Sequence, residues 1–165
     1  MGAGDYGTMN FDVRRYQPLT PKQTLVATGL LTLQSGVRGE DIPGYMDYAL
    51  GGANSVRGWD FASRRGKNQL IVSVEHRYML VPTSAFRIKG LNLYGGIALA
   101  VFADGGSAWN DGDQWTDNAI GGAGIGLRIF VPFVDVIRID LAVGHGSHVM
   151  IGINEKSVAQ RNRVR

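Results

Sequence analysis

The feature that most constrains this chain is a two-residue alternation, held over segments too long for an ordinary β-sandwich. In residues 90 to 104, Ile97, Leu99 and Val101 fall on one face, and Ala98, Ala100, Phe102 and Asp104 fall on the other. Successive side chains of a strand point to opposite faces, so this spacing predicts a strand with one aliphatic and one mixed face. The same pattern recurs in residues 9 to 16, 22 to 35, 67 to 80, 119 to 130, 135 to 143 and 148 to 153. That makes about seven strands and no convincing helix. Strands of about 9 to 14 residues exceed the roughly 5 to 6 usual in globular proteins; they match the roughly 9 to 11 that cross a bilayer at a tilt.

One face of these strands is aliphatic, through Leu70, Val72, Val74, Leu99, Val101, Ile125, Leu127, Ile139 and Leu141. The other carries Asp12, Arg14, Glu75, Arg77, Asp104, Arg128, Arg138 and Asp140. In a soluble sandwich the aliphatic face would be the core. In a barrel it meets lipid and the charged face lines a polar lumen. Strand length and the glycine-rich second face, in a chain with 24 glycines against 5 prolines, favour the barrel. The expected fold is therefore all-β: an antiparallel transmembrane β-barrel domain spanning residues 1–165. Turns near residues 18, 82 and 132 lie at one rim, and longer loops near 36 to 66 and 105 to 118 lie at the other. An open sheet edge cannot stand in lipid, because its unpaired backbone groups have no water to bond. Bacterial single-chain barrels also have even strand counts. Either residues 1 to 8 add an eighth strand, or this is the C-terminal part of a larger barrel; the second reading is favoured.

Composition excludes several function classes. There is no cysteine, hence no disulfide framework and no thiolate metal site. The net charge of +3 gathers its basic excess at Arg161, Arg163 and Arg165, which does not describe a nucleic-acid-binding face. No apolar run is long enough for a transmembrane helix. The first residues have neither the basic nor the apolar region of a signal peptide, so an exported form would be mature or a fragment.

The longest interruption, about residues 36 to 66, is unusual for a loop and points to function. At its centre stand Val56, Arg57, Gly58 and Trp59. Glu75 and Asp104 lie on the inner faces of the two strands that follow. Folded inward, Arg57 would meet this carboxylate pair in a charge-assisted arrangement, and any of the three left unpaired and desolvated would be costly. The ion pair reads either as a functional lock or as a plain seal of the lumen. His145 and His148 flank a turn without a fixed acidic neighbour, so no metal site and no catalytic residue is expected. Trp109 and Trp115 read as rim aromatics. Gly152 reads either as a hinge at a strand seam or as a close-contact glycine.

These residues also carry a resemblance. Leu50 through Trp59 resembles the V-R-G-aromatic motif in an extracellular loop of the outer-membrane assembly and two-partner-secretion superfamily. These are the bacterial surface-antigen barrels, which include the central barrel subunit of the β-barrel assembly machinery. Val101-Phe102-Ala103-Asp104-Gly105-Gly106 resembles the family's F-x-D-x-G strand, and Val74-Glu75-His76-Arg77-Tyr78 its E-x-R strand. Gly124 through Pro132, then Ile137-Arg138-Ile139-Asp140, resembles its closing strands. The resemblance implies a barrel of about sixteen strands, within the even counts of outer-membrane barrels, of which this chain is the C-terminal half. It implies that Arg57 reaches into the lumen and pairs with Asp104 near Glu75. It further implies a non-enzymatic barrel of the bacterial outer membrane that inserts or exports polypeptides and needs no cofactor. Its partners would be membrane lipid and unfolded or β-rich polypeptides, with missing barrel strands or a second copy as further candidates and no nucleic acid. The alternative is an anchor or translocator barrel for a fused passenger domain. Two departures stand out. The resemblance leads to the expectation of periplasmic polypeptide-transport-associated domains before the barrel, none of which lies within these residues, and the sequence runs on through Glu155-Lys156-Ser157 where the family closes on a terminal aromatic.

Overall fold

The computed structural model describes residues 5–88, 91–132 and 135–153. Two strands, β1 (Thr8–Thr20) and β2 (Gln23–Gln34), precede the long loop. Within the loop, β3 (Tyr48–Leu50) pairs with β4 (Arg64–Gly66). Five strands follow: β5 (Asn68–Ile88), β6 (Leu91–Trp109), β7 (Ile120–Val131), β8 (Asp135–Val143) and β9 (Ser147–Ile153). The sheet runs β1-β2-β5-β6-β7-β8-β9, antiparallel throughout, so every strand lies beside its sequence neighbour once the loop is set aside. Such a meander forms from local pairings and needs no crossover.

Alternation sorts the sheet into two environments. Val72, Val74, Leu99, Val101, Ile125, Leu141, Val143, Val149 and Ile151 are exposed, Val101 at 59% and Val149 at 70%. A soluble domain does not present an aliphatic band of this extent to water, whereas a transmembrane barrel presents it to lipid. The opposite face is buried and polar, with Ser73, Glu75, Asp104, Arg128, Arg138 and Asp140. The fold is thus an outer-membrane barrel sheet whose charged residues point inward.

Register sets which inner residues stand level. Ser73 lies opposite Asp104, Glu75 opposite Phe102, and Phe102 opposite Gly124. Gly126 lies opposite Asp140, and Arg128 opposite Arg138. Asp104, Glu75, Asp140 and Arg128 therefore fall on four successive inner rungs, a diagonal across four neighbouring strands. Among the described residues, β1 and β9 each pair on one side only, so the sheet is open.

Three sequence expectations need correction. Val81 to Ser84 is no turn: β5 runs through it with register shifts between Met79 and Val81 and between Val81 and Ser84. A bulge accommodates Pro82, which has no N–H to give to a ladder. Residues 105 to 109 likewise continue β6, and the polar loop spans only 110 to 119. The long loop is not structureless, since it holds the β3–β4 pair and a 3₁₀ turn at Gly44–Met46. The arginine-rich end at Arg161, Arg163 and Arg165 and residues 1–4 of the segment considered for an eighth strand lie outside the described residues; residues 5–7 are not strand and Thr8 opens β1.

The lipid-facing assignment makes a quantitative prediction. Val101→Arg should destabilise the folded barrel by about 2–4 kcal/mol, and Trp115→Arg in the rim loop by about 0–1 kcal/mol. Denaturant unfolding in phospholipid vesicles measures both. Equal costs at the two positions would contradict the assignment.

Candidate functional site

The loop is anchored by its own backbone before it meets the sheet. Gly52 N–H donates to the Trp59 carbonyl at 3.0 Å, closing residues 52 to 59 into a compact tip. Ser55 Oγ accepts from Gly51 N–H and donates to the Gly51 carbonyl, both at 2.8 Å. Gly58 has φ of 88°, where a side chain is strained. A Cβ there would also lie 2.5 Å from the Val143 carbonyl carbon. Only glycine lets the loop backbone lie this close to the end of β8.

The tip meets two seats on the inner face. The first is apolar: Leu50 and Val56 from the loop pack with Leu30, Ile71, Ala108 and Ile120, and Trp59 covers the cluster. Leu50 and Val56 are fully buried. Burial of such side chains stabilises by roughly 1.5–3 kcal/mol each.

The second seat is charged. Arg57 is completely buried. Its Nε donates to Asp104 Oδ2 at 2.6 Å and its Nη2 to Asp104 Oδ1 at 2.8 Å, a two-pronged fork. The Arg57 backbone N–H donates to the same carboxylate at 3.1 Å. Nη1 donates to Glu75 Oε2 at 3.1 Å and to Asp140 Oδ2 at 3.3 Å. The guanidinium carbon sits 3.2 Å from the centroid of the Phe102 ring, so the cation lies flat on an aromatic face. Ser73 Oγ donates to Asp104 Oδ1 at 2.5 Å.

A second arginine completes the network. Arg128, also fully buried, forks onto Glu75 through Nε at 2.9 Å and Nη2 at 2.6 Å, and reaches Asp140 Oδ1 at 2.7 Å. Arg77 Nε donates to Glu75 Oε1 at 2.7 Å. Arg57, Arg77 and Arg128 thus stand against Glu75, Asp104 and Asp140 in one network, with the buried Arg138 beside it. Each of these six charges has a partner of opposite sign, the condition under which desolvation is tolerated.

The other residues singled out in the sequence are also placed. Trp59 Nε1 donates to the Gly121 carbonyl at 2.8 Å, and its ring stacks on His145 at 5.1 Å between centroids. The His145 N–H donates to the Gly58 carbonyl at 2.9 Å, tying the tip to the β8–β9 turn. His148 Nδ1 lies 3.9 Å from Asp60 Oδ1. Among the described residues, no group of three His, Asp or Glu side chains is placed to hold a metal ion, the three carboxylates around Arg57 being taken up by arginines. Trp115 is exposed in the 110–119 loop, and Gly152 lies opposite Arg138.

Sequence reasoning brought Arg57, Glu75 and Asp104 together but left out Arg128, Asp140, Ser73 and Phe102. Alternation had already put Arg128 and Asp140 on the inner face. The further signal was charge, since the inner arginines Arg57, Arg77, Arg128 and Arg138 outnumber Glu75 and Asp104 and point to Asp140 as the next carboxylate on that face.

An antiparallel sheet with a lipid-facing aliphatic band and a long loop seated on its charged inner face defines a class: an outer-membrane β-barrel with a loop in its lumen. The chain belongs to the Omp85 superfamily, whose domain model matches residues 1–148. This places it in the bacterial outer membrane. Among solved structures 17 chains match. One is the crystal structure of BamA from Haemophilus ducreyi lacking POTRA domains 1–3, at a TM-score of 0.64 and 18% identity. The alignment covers 92% of this chain and 34% of that one, so this chain spans about a third of its length. At that identity the likeness establishes the fold. No curated protein matches.

Removing the buried cation leaves buried carboxylates uncompensated. Arg57→Ala should therefore cost about 3–5 kcal/mol in unfolding free energy. Arg57→Lys should recover only a minor part, because an ammonium cannot make the two-pronged contact to Asp104. Unfolding midpoints of the three proteins in the same vesicles check this, and full recovery by lysine would contradict the fork.

Proposed function

We propose that this chain is the C-terminal part of an outer-membrane barrel that inserts or exports other polypeptides, and that the Val56-Arg57-Gly58-Trp59 tip is the lock that keeps its lumen in the working shape. The observation that carries the reading is the fully buried Arg57 fork on Asp104, inside a barrel of this superfamily. The barrel works without chemistry of its own. Its action is to offer a polypeptide a strand edge in a lipid setting, where unpaired backbone groups are strongly driven to find partners. Substrate strands add to such an edge by β-augmentation, with backbone hydrogen bonds giving affinity with little demand on sequence. Lipid contacts the aliphatic face, and unfolded or β-rich segments are the substrates. Barrel strands supplied by the rest of the protein, or by a second copy, complete the wall.

The lock matters because the tip touches the inner face from β5 to the β8–β9 turn. While it is seated, those strands are held at one curvature. Unseated, the lumen loses both its plug and its shape.

The expected outcome is specific. Arg57→Ala and Asp104→Ala in the parent protein should each reduce insertion or export by roughly the same factor, with the double variant no worse than either, because each single change already breaks the fork. Barrel folding is monitored separately by heat-modifiable gel migration. If Arg57→Ala leaves insertion and export unchanged in a folded barrel, the lock reading fails and the passenger-anchor reading takes its place.

A further inference from the structure

Arg138 is a further buried arginine beside the carboxylate forks, two residues from Asp140 in the same strand. It lies in β8, directly across from Arg128 in β7 on one side and Gly152 in β9 on the other. Like charges opposite each other on neighbouring strands repel. Arg128 is held away by Glu75 and Asp140. Arg138 extends over β9 instead. A Cβ at Gly152 would stand 2.5 Å from Arg138 Nη2, 3.0 Å from Cζ and 3.2 Å from Nε. The same Nη2 donates to Asn54 Oδ1 at 3.0 Å. Asn54 belongs to the loop tip just ahead of Arg57, and Arg138 is only 2% exposed. One guanidinium therefore rests on β9 and holds the loop at the same time.

We infer that Arg138 is a positioning residue that ties the loop tip to β9 through Asn54 and Gly152, separately from the Asp104 fork, so that loop seating and β9 pairing rise and fall together. Gly152 is the receptacle for this guanidinium, and its missing side chain is what lets the contact form. β9 is the strand at the open edge of the described sheet. The tether therefore connects the lumen loop to the edge whose pairing must change if another strand is to join it.

The test is native-state hydrogen exchange on the full chain, folded in its membrane or in detergent, with amides 147–153 and 51–59 read separately. Gly152→Ala pushes the guanidinium off its seat. It should speed exchange about tenfold in both segments, on the order expected for losing one hydrogen bond to a charged group. Arg138→Ala should do the same. Adding Gly152→Ala to Arg138→Ala should produce no further increase, because the steric conflict is gone. Asn54→Asp turns the contact into an ion pair and should slow exchange in both segments. That arm decides the question if either loss variant fails to fold. The inference is overturned if Gly152→Ala slows exchange in β9 alone, as stiffening a hinge would. It is also overturned if the double variant adds the two effects, or if Asn54→Asp leaves β9 unchanged. Because the readout is exchange and not export, failure here is distinguishable from failure of the proposed function.

Discussion

A guanidinium with no exposed surface keeps its charge only where carboxylates replace the water it has lost. Arg57 meets that condition through Asp104, Glu75 and Asp140, which come from β6, β5 and β8. The rest of the structure depends on this contact. Three strands must be in the correct register for the carboxylates to fall on successive inner rungs within reach of one guanidinium, and the loop must turn inward for the arginine to reach them. Attraction between the charges is strong at low local dielectric, but so is the cost of any misplacement. The interaction therefore acts less as net stabilisation than as a selector of one arrangement.

The same alternation that makes the lumen makes the lipid face. A strand cannot offer Glu75 inward without offering Val74 and His76 outward, so charged lumen and aliphatic exterior are one sequence pattern. Its counterpart is the edge. In lipid the free sides of β1 and β9 leave backbone groups with no water to satisfy them, which drives pairing with further strands. A barrel that works on other polypeptides needs an edge that is unsatisfied in this way and a wall that nevertheless holds its shape.

How much of this was legible in the sequence depends on what alternation encodes. Parity fixes the face of a residue but not its height relative to residues on other strands. Arg128 and Asp140 were therefore visible as inner residues but not as partners of Glu75 and Arg57; that follows only from register, such as Gly126 opposite Asp140. The apolar seat was hidden for a related reason. Leu30, Ile71 and Ile120 share the inner face with polar residues and look out of place until Leu50 and Val56 come to cover them. Pro82 was misread because a proline signals a turn wherever the ladder is regular, and here β5 bulges around it. Arg57, Glu75 and Asp104 were legible because buried charges must pair and few inner candidates lay nearby in sequence.

The order of residues at the loop tip has its own logic. Val56 goes to the apolar seat beside Ile71 and Ala108, and Arg57 to carboxylates of β5, β6 and β8. The Gly58 carbonyl accepts from the His145 N–H in the β8–β9 turn, and Trp59 reaches the Gly121 carbonyl in β7. Four consecutive residues thus contact five adjacent elements, which an extended peptide could not do, since its side chains point to only two sides. The left-handed backbone at Gly58 breaks that restriction and swings Trp59 away from the line of Arg57. Ladder hydrogen bonds fix the spacing between strands but leave the curvature of an open sheet comparatively free. A tie across the concave face removes that freedom. Charge selects where the tie sits, and glycine lets it span the strands.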